Sequence, residues 1–242
     1  MIESLLIRKV NIVSSTAIKQ GDILIQDGKI IEVGPNLAHR KAEVIIEEKN
    51  LYALPGLIDP HVHFRDPGFP DKESFYTGSK AAAAGGITSI FDMPNTNPAT
   101  ISSQKIDEKK AIAKQNSLVN FNTFIGATAT NFEELQKTEN IPGIKIYVGS
   151  STGDLLVNQP DILDHLFKNS NKLIAVHSEN ESIIIENQKK HLPNPDPKTH
   201  LKIRTEEAAL SSTKMLVNLA KKHQARLHIC HLSTQAEANW LA

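Results

Sequence analysis

From Leu54-Pro55-Gly56 onward, short apolar strands alternate with helix-patterned stretches, and this rhythm constrains the fold more than any other feature of the sequence. Strands are expected over 56–64, 87–93, 119–126, 143–148, 172–177 and 226–232, with helices over 72–84, 103–115, 161–169 and 205–223. Parallel strands joined by right-handed helical crossovers form a sheet with the helices packed outside it. Six such units can be counted, followed by a further short helix over 235–242. The spacing suits an open doubly wound sheet or a (β/α)8 barrel, which would need two more units.

Residues 1–52 have a different texture. Apolar residues alternate on both sides of Asp27-Gly28, a dipeptide whose easy positive φ suits a two-residue hairpin. This stretch is expected to form a small β-sandwich part, with the barrel over residues 53–242. Of 242 residues, 40% are hydrophobic, which supports a sizeable core. The 27 basic residues balance 27 acidic ones, so nothing points to a polyanionic partner. Cys230 stands alone, which excludes a disulfide framework and fits a reducing interior. The N-terminal MIESLLIRKVNIV alternates and carries charge too early for a signal peptide, and no run of about 18 apolar residues occurs. The expectation is a soluble, cytoplasmic protein that meets a small molecule rather than nucleic acid or a membrane.

Parity along the strands locates the polar chemistry, because alternate residues of a barrel strand face the interior and the helices. In the first strand Ile58, Val62 and Phe64 share one face, so Asp59, His61 and His63 face inward. The two histidines lie about 6.6 Å apart along the strand, at the end where barrel enzymes carry their sites. In GIKIYVG, Ile144, Ile146 and Val148 form the helix-facing row, leaving Lys145 and Tyr147 inside. A bare ammonium there is costly without a partner. In LIAVH the same reasoning turns His177 inward. In RLHICHL parity allows either row, and His231 is favoured by its place at the strand end. His228 and Cys230 read as buried strand packing, and His191 and His200 as loop surface.

Histidine-bearing strand ends and an inward lysine thus share one rim, and imidazoles are ligands suited to zinc and similar ions. Singly, each residue has an ordinary reading: a core histidine, a snorkelling lysine, a loop salt bridge for Arg65 with Asp66, or a turn cap for Asn95. Arg65 and Asn95 could also hold a carboxylate, through paired guanidinium hydrogen bonds and an amide donor.

In GLIDPHVHFRDPG, AAAAGGITSIFDMPNT, GIKIYVGSSTG, AVHSEN and HICHLST, in that order, the sequence resembles the dihydroorotases of the cyclic-amidohydrolase family. The fold this implies is an amidohydrolase-type (β/α)8 TIM barrel, cut short after about six units, with the small β domain beside it. The resemblance also implies two zinc ions. His61 and His63 match the ligands of the more buried ion, and His177 and His231 those of the more exposed one. Lys145 matches the lysine that in many relatives takes up carbon dioxide as a bridging carbamate, with Asp154 as the second choice for a bridge. Arg65 and Asn95, with His63 beside them, match substrate-binding positions, the first two gripping a carboxylate. The implied reaction is reversible hydrolysis of dihydroorotate to N-carbamoyl-L-aspartate, a step of pyrimidine biosynthesis.

The family's general base is an aspartate on an eighth strand, and this sequence ends at Ala242 before such a strand. The expectation is therefore a fragment of a longer chain, inactive alone, whose base lies beyond residue 242. Competing expectations are another cyclic-amide hydrolase (allantoinase, hydantoinase or dihydropyrimidinase) or a non-catalytic dihydroorotase-like partner of aspartate carbamoyltransferase. A homodimer is a further expected assembly.

Overall fold

The computed structural model describes residues 3–149, 155–191 and 196–242. Asp27 and Gly28 form the expected two-residue turn, with φ of 50° and 73°, both in the left-handed region such hairpins need. They join β2 (Ile18–Gln26) to β3 (Lys29–Gly34) after β1 (Ser4–Val13), and β4 (Val44–Glu47) and β5 (Tyr52–Ala53) follow. The order is β3-β2-β1-β4, with β5 also paired to β1. Leu6, Leu24 and Leu37 are buried together under this sheet. The sequence suggested a sandwich here. Among the described residues this unit is a single five-stranded sheet, and Leu37, from the segment after β3, supplies the cover.

The chain divides into two compact units, Met1–Leu57 and Ile58–Ala242, a few residues after the change of texture at 52/53. The second unit runs β6 (Leu57–Val62), α1 (Phe75–Ala84), β7 (Ile87–Asp92), α2 (Ser103–Asn116), β8 (Asn120–Thr123), β9 (Ile125–Gly126) and α3 (Phe132–Lys137). It continues with β10 (Ile144–Tyr147), α4 (Pro160–Asn169), β11 (Ile174–His177), α5 (Glu181–His191), α6 (His200–Ile203), α7 (Glu206–His223), β12 (Leu227–Ile229) and α8 (Gln235–Leu241).

The strands follow one another in sequence order, β6-β7-β8 and then β9-β10-β11-β12. The pairings β7–β8, β9–β10, β10–β11 and β11–β12 are parallel. Phe124 divides the third expected strand in two. Its N–H donates to the Asp92 carbonyl at 3.0 Å, while the Ile125 N–H donates to the Gly143 carbonyl at 3.3 Å, so one sheet ends where the next begins. This is the wall of a (β/α) barrel carrying six strand positions.

Two apolar layers flank this wall, as strand alternation requires. Outside, Ile144, Ile146 and Val148 pack with Ile174 and Val176 against Leu163, Leu166 and Phe167 of α4 and Leu216 of α7. Each such fully buried side chain contributes about 1.5–3 kcal/mol. Inside lie Met93, Phe124, Ala175 and Cys230. Phe64 packs with Phe75 and Ile90, and its ring lies so close to α1 that a Cβ at Gly78 would meet it at 2.5 Å. Ile58, placed by parity on the same helix-facing row as Phe64, instead remains 61% exposed.

Caps fix where the helices start. Ser74 and Thr77 form a capping box on α1, and the Thr205 hydroxyl accepts the Ala208 N–H on α7. Among the described residues no helix is long and apolar enough to cross a membrane.

Candidate metal centre

The end of the first barrel strand delivers His61 and His63 as expected. Their Nε2 atoms approach to 3.2 Å, and His63 Nδ1 lies 2.8 Å from Asn95 Oδ1, just beyond β7. A carbonyl oxygen can only accept, so His63 carries its proton on Nδ1 and turns the Nε2 lone pair toward His61. Asn95 therefore orients a histidine through its oxygen while its amide N–H groups remain available as donors.

A buried ion pair supports this corner. Asp92 Oδ1 accepts the Phe64 N–H at 2.9 Å, fixing the backbone next to His63. Lys109 of α2 places Nζ 2.7 Å from Asp92 Oδ2 and donates to the Met93 carbonyl at 2.9 Å.

The second pair stands across the barrel mouth. His177 Nδ1 lies 3.2 Å from His231 Nε2. Its Nε2 is 2.6 Å from Glu179 Oε2, and Arg204 Nε donates to both oxygens of that carboxylate at 3.0 and 2.9 Å. Arg204 Nη2, a donor, also lies 2.9 Å from this nitrogen, but the ionised carboxylate is nearer and accepts only, so the proton sits on Nε2 and Nδ1 presents its lone pair to the mouth. Carboxylate-oriented metal histidines share this arrangement. Burial alone would raise the pKa of Glu179, yet the hydrogen bonds from His177 and Arg204 hold it at about 2.

His231 reaches the mouth by a route that strict alternation does not provide. Leu227 and Ile229 pack on the outer core, so His231 would follow them outward, and Cys230 lies inside. Instead β12 ends at Ile229, and His231 adopts φ 37°, a left-handed backbone that rotates its imidazole back over the barrel. The ring then stands 4.8 Å from that of His177 and 5.2 Å from that of His61. His228 was expected to be buried; it lies on the inner row but is exposed, lining an apolar cavity with Phe91, Met93 and Phe124.

Lys145 is fully buried on the inner row, and Nζ donates to the Cys230 thiol at 3.0 Å. Burial pushes its pKa down, against an opposing pull from Cys230. Tyr147, two residues on, sets its ring 5.0 Å from Nζ and 6.2 Å from His177. Burial, then the charge of Lys145, takes His61 down to about 3, while burial and the neighbouring His177 take His231 down to about 4. Burial lowers His63 as well, partly offset by its bond to Asn95. At neutral pH these three rings are uncharged and keep their lone pairs.

This donor set fits a divalent metal. Two imidazole ligands held about 2.05 Å from one tetrahedral ion stand about 3.3 Å apart, and each histidine pair shows 3.2 Å. Among the described residues no three His, Cys, Asp or Glu side chains already form a metal-holding group, because the four imidazoles come as two pairs. The charge of Lys145 acts on His61, His63 and His231, and its amine could serve as a donor only after losing that charge. Asp154, the other candidate bridge, lies outside the described residues.

Arg65 emerges beside His63, and among the described residues no carboxylate pairs with its guanidinium, including that of Asp66. A cleft of about 380 Å³ opens beside the second pair, lined by His177, Glu179, Arg204, His231 and Ser233. Exposed His200, on α6, also borders it, whereas His191 closes α5. Sequence reasoning missed Glu179, Arg204, Asp92 and Lys109. Glu179 carried a usable signal, since it lies two residues beyond a strand-end histidine. The other three meet their partners only through the tertiary fold.

The profile of the amidohydrolase family matches residues 52–242. A dihydroorotase of Methanosarcina acetivorans is 33% identical over 94% of this chain and 50% of its own length. An allantoinase of Desulfitobacterium hafniense is 29% identical over 98% of this chain and 55% of its own length. Among solved structures, the L-hydantoinase of Arthrobacter aurescens superposes with a TM-score of 0.91 at 28% identity, covering 99% of this chain and 55% of that one. The chain spans about half the length of the relatives it matches.

Proposed function

Since the chain belongs to the amidohydrolase family, whose members generally use a metal, we propose that it serves a zinc-dependent dihydroorotase, which opens the cyclic amide of dihydroorotate to N-carbamoyl-L-aspartate and closes it again. The observation that carries this reading is the meeting of two imidazole pairs across one barrel mouth, with Arg65 and the Asn95 amide beside the first. Dihydroorotate bears a carboxylate next to its ring, which suits a guanidinium that has no carboxylate partner among the described residues.

In this reading His61 and His63 would hold one zinc ion and His177 and His231 a second, and Lys145, as its carbamate, would supply anionic oxygen to the site. A zinc pair supplies Lewis-acid activation of water and of the amide carbonyl. The chain's own residues do the remaining work. Asn95 and Glu179 lock the tautomers of His63 and His177, so that both present lone pairs. Arg65 forms paired hydrogen bonds with the substrate carboxylate, and Asn95 Nδ2 adds a third, fixing the ring above the histidines. The neutral state of His61, His63 and His231 keeps them competent as ligands at physiological pH.

A second reading, hydrolysis of allantoin or a hydantoin, is favoured by the allantoinase and hydantoinase similarities. Turnover by the zinc-loaded protein carrying this sequence separates the two. Dihydroorotate should be hydrolysed in preference to allantoin and dihydrouracil. Faster turnover of allantoin would reassign the substrate.

A further inference from the structure

Among the described residues, two groups on the inner face of β10 lack the partner their chemistry requires. Lys145 is fully buried, contacts a thiol rather than a carboxylate, and adds to the positive charge felt by His61 and His231. The Tyr147 side chain is 95% buried, and its hydroxyl has no hydrogen-bond partner among the described residues. A buried hydroxyl left without a partner is destabilising, so it marks the place of an acceptor. A cation without an anion and a donor without an acceptor lie on the same side of one strand, with Nζ 5.0 Å from the phenol ring. A single anionic oxygen group between them satisfies both.

We propose that Tyr147 is a positioning residue whose hydroxyl donates a hydrogen bond to a carboxylate oxygen formed on Lys145 by carbon dioxide. This rests on the carbamate reading of Lys145 given above. The Nζ lone pair of neutral Lys145 forms a bond to the carbon of CO2, one C=O π pair moves to oxygen, and the displaced N–H proton passes to bicarbonate or bulk water. The product is neutral at nitrogen and anionic at oxygen, so the buried positive charge disappears. The Tyr147 O–H then meets the acceptor it lacks. A carboxylate of a bound molecule has the same chemistry and is the competing source of that oxygen.

The test uses the protein with zinc and 13C-bicarbonate and no substrate, reading the carbamate carbon by NMR, in wild type, Lys145→Ala and Tyr147→Phe. Wild type should give a signal that Lys145→Ala abolishes. Tyr147→Phe keeps the ring and its packing, so it should fold, and it should need about tenfold more bicarbonate for half-occupancy, the equivalent of one hydrogen bond to a charged group. Without bicarbonate, Tyr147→Phe should unfold at the same temperature as wild type or higher, because it deletes an unsatisfied donor; a fall there would show a packing role and overturn the proposal. Equal half-occupancy in wild type and Tyr147→Phe overturns the role of Tyr147 while leaving the carbamate in place. If that equality is joined by weaker dihydroorotate binding in Tyr147→Phe, the hydroxyl belongs to the substrate carboxylate instead. No signal in wild type overturns the carbamate reading and this proposal with it.

Discussion

Lys109→Met tests how far a pair remote from the metal-facing atoms supports the site. Both members are buried, with 1% and 0% of their side chains exposed, and Lys109 Nζ is 2.7 Å from Asp92 Oδ2. The substitution fills nearly the same volume but leaves Asp92 without its cation and the Met93 carbonyl without its donor. Removing one partner of a buried pair costs about 3–5 kcal/mol, whereas replacing both by neutral groups of similar size is nearly neutral. Asn at position 92 still offers an oxygen to the Phe64 N–H, so Asp92→Asn/Lys109→Met should recover to within about 1–2 kcal/mol of wild type. Urea denaturation at pH 7, with the slope checked for constancy, measures Lys109→Met, Asp92→Asn and the double variant. The pH dependence has a definite sign. Burial already raises Asp92 to about 6, and removing Lys109 removes the largest influence lowering it. Folded Lys109→Met then holds a proton that the unfolded chain releases above pH 3.8, so its stability falls as pH rises from 3.8 to the folded value, beyond the wild type's value of about 6, and levels off above it. A cost below about 1 kcal/mol for Lys109→Met, or a double variant equal to the sum of the two single ones, would refute a buried pair of this kind.

His61→Ala or His63→Ala should abolish zinc retention at the first pair, read by elemental analysis of the dialysed protein; unchanged zinc content would contradict the ligand assignment. Glu179→Ala, which removes the acceptor altogether, should weaken zinc binding about 10–100-fold by freeing the His177 tautomer, measured by competition with a chelating dye, and unchanged affinity would remove Glu179 from that role. Arg65→Met should raise the KM for dihydroorotate while leaving zinc content intact, and equal losses of both would indicate misfolding. His61 and His231 titrate far below 6.5, so the unfolded chain binds protons there that the folded chain refuses; stability should decline as pH falls from 6.5 toward 4, and a flat profile would argue against their burial.

The sequence made much of the wall legible because period-2 alternation is a local signal. Ile144, Ile146 and Val148 announced the outer row of β10, and therefore Lys145 inside, and the same logic placed Ala175 inside and Val176 outside. It could not foresee the left-handed turn at His231, which ends the alternation within one residue. Short α3 has no room for a full apolar stripe, and α5 buries only Ile184, so neither produced a clear helical period. The oriented imidazoles were legible as residues but not as tautomers. The first pair's tautomer depends on Asn95, 32 positions from His63, and the second's on Glu179, whose carboxylate is held by Arg204, 25 positions further on.

The break at Phe124 gives the histidine pairs a mechanical meaning. His61 and His63 ride on the three-stranded sheet, and Lys145, His177 and His231 on the four-stranded one. Any bridge drawing both pairs together therefore rivets two plates at the seam where the strand breaks at Phe124, its neighbours bonding one to each side. Chelation would loosen that seam first, and amide exchange around residues 123–126 would quicken while the outer layer of α4 and α7 stayed closed.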